Sequence, residues 1–317
     1  MNGTVYKSTG NWYTVKSVDG TLYQCKLKGK MRLKGLKSTN PVAVGDVVDF
    51  EISQDGDEVV GLIKDFKARK NYIVRKSVNL SKQIHILAAN VDVAFLIITY
   101  NNPITTTTFI DRFLATSQAF NVETILLFNK LDAYDDEEFG EMKYLAEVYR
   151  NIGYTCVGIS ALTGQNLDQV KILMKGKTCV FSGHSGVGKS SIINALDESI
   201  HIKTQQISEQ HNQGMHTTTF AEMHETNFNA RIIDTPGIRG FGMIDMTKEE
   251  LGDYFVEFFK LKHDCKFNNC LHINEPKCAI KTAVENGDIE YTRYKSYVQI
   301  LEEIEENQSP YRQDNYS

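Results

Sequence analysis

The chain is 317 residues long, with 41% hydrophobic and 24% charged residues and a formal net charge of −5. That length predicts two or three domains of about 100–200 residues each, and the composition excludes a disordered, collagenous or disulfide-dense chain. No apolar run reaches the roughly 18 residues that span a bilayer, and residues 1–16 lack the apolar stretch of a signal peptide, so a cytoplasmic protein without membrane contact is expected.

The charge is unevenly spread. Residues 1–80 hold 14 Lys and Arg against 8 Asp and Glu, whereas the rest of the chain holds 21 against 32. An acidic total therefore does not exclude nucleic-acid binding by the N-terminal part. Residues 4–7, 13–17, 22–27, 46–52 and 58–63 alternate or are β-rich, and turn residues separate them. Five strands without helical period predict a small barrel, of which the OB-fold is the commonest five-stranded kind. Segment 26–37 carries six positive charges and no acid. Alone it reads equally well as a solvated loop. On a small barrel it suits a nucleic-acid backbone, with Lys28, Lys30, Arg32 and Lys34 as candidate RNA contacts.

A polar stretch from Ala68 to Tyr72 suggests a linker, taken as 71–83, between an OB-fold domain over 1–70 and a second domain over 84–247. In the second domain apolar strands at 91–99, 122–129, 154–160, 178–182 and 231–234 alternate with amphipathic segments such as 109–120 and 137–152. That alternation predicts an α/β domain with a mainly parallel sheet. Beyond 247 the pattern turns helical, over 248–261, 279–286 and 289–307. Residues 248–317 are read as a third, helical domain whose last ten residues fray.

Gly183, His184, Ser185, Gly186, Val187, Gly188, Lys189 and Ser190 fit G-x-x-x-x-G-K-[ST], after an apolar strand and before a helical run that starts at Ser191. Such a loop turns its N–H groups toward phosphate oxygens. The lysine reaches the β- and γ-phosphates and the serine ligates Mg²⁺. Asn129, Lys130, Leu131 and Asp132 form N-K-x-D at the end of another strand. A carboxylate at Asp132 accepts from guanine N1–H and the 2-amino group, which adenine cannot supply. Ser160, Ala161 and Leu162 also follow a strand and fit the loop that backs guanine O6. Asp234 opens D-T-P-G, placed to hold Mg²⁺ through water, with the Gly237 N–H near the γ-phosphate. Between them the hydroxyl-rich segment 214–219 offers Thr217 or Thr218 as a further Mg²⁺ ligand, or is simply a polar turn. N-K-L-D and S-A-L precede the P-loop, whereas an ordinary small GTPase has them after it. The domain therefore reads as circularly permuted, and its D-T-P-G segment leads straight into the third domain.

Of six cysteines, Cys25, Cys156 and Cys179 stand singly in strand-like segments and are expected to be buried apolar groups. Cys265, Cys270 and Cys278 crowd together with a histidine. Three thiolates and one imidazole make a closed tetrahedral set of the kind that holds structural zinc. His272 and His263 compete for the fourth place.

These motifs, in this order, resemble the RsgA (YjeQ) family of small ribosomal subunit biogenesis GTPases over essentially the whole chain. The resemblance implies an OB-fold, a permuted GTPase domain and a zinc domain. It also implies GTP or GDP with Mg²⁺, one structural zinc per chain on Cys265, Cys270, His272 and Cys278, and binding to 16S rRNA within the 30S subunit as a monomer. Met215 stands where the family commonly has arginine. Ile238, directly after D-T-P-G, can neither donate nor accept a hydrogen bond, so nothing there orients the attacking water. Arg239 is an electrostatic helper or a surface residue. His216 resembles the family's switch histidine and is the candidate catalytic residue beside Lys189. The leading expectation is a GTPase stimulated by the 30S subunit and released by hydrolysis. The rivals are a nucleotide-gated RNA-binding adaptor and an ATP-using enzyme, the latter opposed by Asp132.

Overall fold

Alternating burial along the first strands closes them into a barrel. In this computed structural model, which describes residues 1–29, 40–55, 58–76, 84–200, 221–234 and 246–308, the barrel strands are β1 (Asn2–Ser8), β2 (Tyr13–Ser17), β3 (Leu22–Leu27), β4 (Val47–Asp55) and β5 (Glu58–Phe66). Their order is β1-β2-β3-β5-β4, and β4 pairs back onto β1. Val5, Tyr13, Val15, Cys25, Val48, Phe50 and Ile63 fill the interior. Several expected functional residues lie outside the described residues: Lys30, Arg32, Lys34, Met215, His216, Thr217, Thr218, Gly237, Ile238 and Arg239, together with the tail over 309–317.

Of the segment read as a linker, the described part up to Lys76 includes a strand. β6 (Tyr72–Lys76) pairs antiparallel with β7 (Ile84–Ala89). The polar residues before it are polar for a reason. Arg69 makes a two-pronged pair with the buried Asp46 of the barrel at 2.7 and 2.6 Å. The Asn71 amide both donates to the Val91 carbonyl and accepts from the Val91 N–H, at 2.8 Å each. Buried polar groups must find such partners, and here they tie the barrel side to the next domain.

The α/β domain follows with β8 (Val93–Ile98), α1 (Thr107–Ala119), β9 (Glu123–Phe128), α2 (Asp136–Ile152), β10 (Thr155–Gly158), α3 (Leu167–Met174), β11 (Thr178–Ser182), α4 (Lys189–Leu196), β12 (Glu222–Glu225) and β13 (Arg231–Asp234). The order is β10-β9-β8-β11-β13-β12, parallel except for β12. Every residue of β8 is buried, as a parallel strand covered on both faces should be. Ile110, Phe113 and Tyr149 of α1 and α2 cover one face; Val170, Met174, Ile192 and Leu196 of α3 and α4 cover the other. β12 meets β1 edge to edge, where Lys7 pairs with Glu222 at 2.8 Å and Lys16 with Glu225 at 2.6 Å.

The C-terminal part contains α5 (Lys248–Leu251), α6 (Val256–Leu261), α7 (Ala279–Asn286) and α8 (Tyr291–Gln308). The single helix expected over 248–261 tightens into a 3-10 turn over Gly252–Tyr254 and is broken at Phe255, whose backbone is extended. A Cβ at Gly252 would stand 3.3 Å from His272 Nε2, a tight contact from which that ring would have to give by a few tenths of an ångström. Phe255, Phe258, Tyr297 and Ile300 form the core of this part, and Ala115 of α1 joins it. Arg293 of α8, 2% exposed, donates to Asp111 of α1 at 2.5 Å and to Glu257 of α6 at 2.7 Å. Among the described residues no helix is long and apolar enough to cross a membrane.

Candidate functional site

The sheet brings the separated motifs to one edge. Asn129 follows β9, Ser160 follows β10 by two residues, the P-loop follows β11 and Asp234 ends β13. All lie at the carboxyl ends of parallel strands, where ligands of open α/β sheets bind. Asn129, 1% exposed, is the joint between them. Its amide donates to the Val187 carbonyl of the P-loop at 2.8 Å and accepts from the Ala161 N–H at 3.1 Å. The Asn129 carbonyl accepts from the Tyr134 hydroxyl at 2.7 Å, and the Tyr134 hydroxyl oxygen accepts in turn from the Tyr100 N–H at 2.9 Å. Neither tyrosine belongs to a motif, so pattern reading missed both.

The P-loop backbone uses its glycines. Gly183, Gly186 and Gly188 have φ of 151°, 84° and 97°. A Cβ on Gly188 would stand 2.5 Å from the Asn129 amide nitrogen. Glycine at 188 therefore permits both the left-handed turn and the contact with Asn129. Lys189 is the first residue of α4, with Ser190 beside it and Ser191 exposed. His184 stacks on Phe109 of α1, ring centroids 3.9 Å apart and planes at 32°, and burial pulls the imidazole pKa down.

At the base-reading end Asp132 is exposed, and its carboxylate accepts from the Ser160 hydroxyl. Ser160 in turn accepts from the Thr163 N–H at 3.1 Å. A fixed, solvent-facing carboxylate beside an ordered loop can read a pair of donors. Lys130 adopts a left-handed φ of 71° and donates to the Asn102 carbonyl, with partial burial lowering its pKa. Leu131 is held over Gly158, where a Cβ would approach its side chain to 3.1 Å. Leu162 projects into solvent. Asp234 is half-buried beside β11; its expected partners for Mg²⁺ and γ-phosphate, apart from Ser190, fall outside the described residues.

Cys265, Cys270, His272 and Cys278 bring their ligand atoms within 4.8 Å of one another. His272 Nδ1 lies 3.7 Å from Cys265 Sγ and 3.4 Å from Cys278 Sγ. Tetrahedral zinc, about 2.3 Å from sulfur and about 2.0 Å from nitrogen, would set such atoms about 3.5 Å apart. The residues fit the ion. Burial pushes the Cys270 thiol up to about 12 and pulls the imidazole down, so a thiolate at Cys270 calls for a cation and burial favours the neutral His272 that a metal binds. Among the described residues the cluster includes His272 rather than His263. Glu275 braces the loop by accepting from the N–H groups of Leu271, Ile273 and Asn274 at 2.8, 3.0 and 3.1 Å. The Tyr294 hydroxyl donates to the His272 carbonyl at 2.8 Å. Such outer partners aim metal ligands.

On the barrel, Lys28 is exposed and paired with Glu51 at 2.6 Å. Lys28 and Lys64 together hold the Glu51 carboxyl down at about 2.

Two family models match the chain: the RsgA N-terminal domain over residues 2–60 and the RsgA GTPase over residues 66–244. The chain is 61% identical to the small ribosomal subunit biogenesis GTPase RsgA of Christiangramia forsetii, covering 100% of this chain and 99% of that one. It is 57% identical to the protein of the same name from Flavobacterium psychrophilum, covering 100% and 96%. Among solved structures, YjeQ from Thermotoga maritima superposes with a TM-score of 0.78 at 34% identity, covering 96% of this chain and 98% of that one. YloQ, described as a circularly permuted GTPase, superposes with a TM-score of 0.75 at 28% identity, covering 97% and 96%.

Proposed function

The chain belongs to the RsgA GTPase family and is a GTP hydrolase, and on that premise we propose that it serves small ribosomal subunit biogenesis, docking on 16S rRNA of the 30S particle with GTP bound and leaving after hydrolysis. The observation that supports this reading is the Asn129 bridge between the P-loop and the S-A-L loop, which joins motifs far apart in the chain as one guanine nucleotide site would require.

In this reading Asp132 accepts from the guanine edge and Ser160, Ala161 and Leu162 back its O6. The amides of the loop from Gly183 to Gly188, with His184, Ser185, Gly186 and Val187 between, cradle the phosphates, and Lys189 stabilises the charge that develops on the transferred phosphoryl group. Ser190, Asp234 and one of Thr217 and Thr218 would hold Mg²⁺, which when bound neutralises charge on the phosphate oxygens. The Gly237 N–H senses the γ-phosphate. His216 orients the attacking water, since Ile238 cannot. Cys265, Cys270, His272 and Cys278 hold a structural zinc. Lys28, Lys30, Arg32 and Lys34 meet the RNA backbone from a domain spanning about residues 1–70.

Co-sedimentation with 30S subunits tests the docking. Binding should be tight with a non-hydrolysable GTP analogue, weaken with GDP, and fall steeply with salt, by roughly 0.7–0.9 log units per log unit of salt for each phosphate contacted. Neutralising the four basic residues should weaken it while GTP still binds. Unchanged sedimentation by that variant would move the RNA contact away from the barrel. His216→Ala should keep both bindings and lose most subunit-stimulated turnover; unchanged stimulated turnover would remove His216 from the mechanism.

A further inference from the structure

Helix α1 faces three ways. Ile110, Phe113 and Leu114 pack on the sheet. Thr108, Asp111 and Arg112 face α8: the Thr108 hydroxyl donates to Gln299 at 2.5 Å, Asp111 accepts from Arg293 at 2.5 Å, and Arg112 donates to both Glu303 oxygens at 2.6 Å. Ala115 and Ala119 complete that contact within the C-terminal core. Phe109 packs at the edge of the same sheet-side core and also reaches the nucleotide site, where its ring lies on His184.

The position of His184 gives that stack its consequence. It lies between Gly183 and Gly186, with φ of 151° and 84°, a backbone conformation that glycine adopts readily and other residues rarely. The glycines let the loop wrap a phosphate but have no side chain to anchor it; Asn129 holds its far end at the Val187 carbonyl, and His184 carries the side-chain anchor at its start. A ring contact at 3.9 Å fixes the side chain between them to a helix that the C-terminal part grips along its other face.

We infer that Phe109 is a positioning residue of the GTPase: through His184 it ties the phosphate loop to α1, and so makes nucleotide affinity answer to how the C-terminal domain sits on α1. This rests on the P-loop reading above and adds a physical link from the zinc-bearing part to the nucleotide that does not run through the D-T-P-G segment. Coupling of this kind is reciprocal, so nucleotide occupancy bears equally on the seating of α8.

The test uses the full chain and the N-methylanthraniloyl fluorescent analogue of GDP, without ribosomal subunits. Phe109→Ala should release the analogue about 3- to 10-fold faster, the range expected for one aromatic pair. Phe109→Leu, which keeps apolar bulk without the ring, should match it and covers the case of a poorly folded alanine variant. Phe109→Tyr should restore release to near the wild-type rate. The paired change Gln299→Ala with Glu303→Ala should speed release in the wild-type background by about 2-fold and add nothing in the Phe109→Leu background, a shortfall from additivity that marks coupling. Wild-type release from Phe109→Leu, or full additivity with the α8 changes, overturns the inference. Failure of the wild-type chain to bind the analogue would instead strike down the P-loop reading, and this inference with it.

Discussion

Replacing Arg293 with methionine perturbs the joint between α1, α6 and α8. The guanidinium reaches Asp111 at 2.5 Å and Glu257 at 2.7 and 3.1 Å. Methionine keeps much of the apolar stem but carries no charge. Glu257, whose side chain is 13% exposed, can turn to water; Asp111, at 0%, cannot, and retains the Tyr149 hydroxyl at 2.7 Å. One stranded buried carboxylate sets the loss at about 3–5 kcal/mol. Burial already pushes the Asp111 carboxyl up, with the guanidinium opposing it, so removing the guanidinium raises it further. A folded-state pKa above the unfolded value means that the folded variant holds the proton more tightly. The deficit is therefore smallest below the ordinary carboxylate range and grows as pH rises through the raised value. Urea unfolding at about pH 5 and about pH 8 should show it, and hydrogen exchange should localise the loosening to α1 and α8. Adding Asp111→Asn should recover part of the loss. A single variant within about 1 kcal/mol of wild type at the higher pH would refute the reasoning.

Asp132→Asn should weaken GTP binding by at least about 2 kcal/mol, since it removes a charge-assisted acceptor for two guanine donors; equal competition by ATP and GTP for the wild-type chain would contradict the base-reading role. Gly188→Ala should reduce nucleotide affinity at least about tenfold, because the left-handed φ of 97° strains the new residue and its Cβ displaces the Asn129 amide. Titration with the fluorescent GDP analogue measures this. Cys270→Ser should take zinc content from one per chain toward none and loosen the C-terminal helices while nucleotide still binds; elemental analysis that finds no zinc in wild-type protein purified without chelator would remove the metal from the account.

The chemistry-bearing parts were legible because each is a local pattern with its own context. The P-loop sits between a strand and a helix, Asn129 directly follows a strand, and the cysteines lie close together in the chain. What pattern reading lost were roles that depend on long-range neighbours. Arg69 and Asn71 read as linker polarity, because nothing local shows that Asp46 and Val91 are their partners. Phe255 read as an ordinary residue of one long helix, since its extended backbone goes with a ring buried in the C-terminal core, among neighbours far along the chain. Phe109 read as part of an amphipathic stripe; only the fold sets its ring on His184. Glu222–Glu225 is too short and polar to stand out, and becomes a strand by pairing with β13 and meeting β1.

Single-chain GTP turnover with and without purified 30S subunits tests the central claim most directly. Alone, the chain should turn over at about 10⁻⁴–10⁻² s⁻¹, the range of unaided GTPases without a supplied catalytic group. Saturating 30S subunits should raise the rate by orders of magnitude and leave the GDP-bound chain dissociated from the particle. Subunit binding with no change in turnover would contradict the account and make the chain a nucleotide-gated adaptor instead.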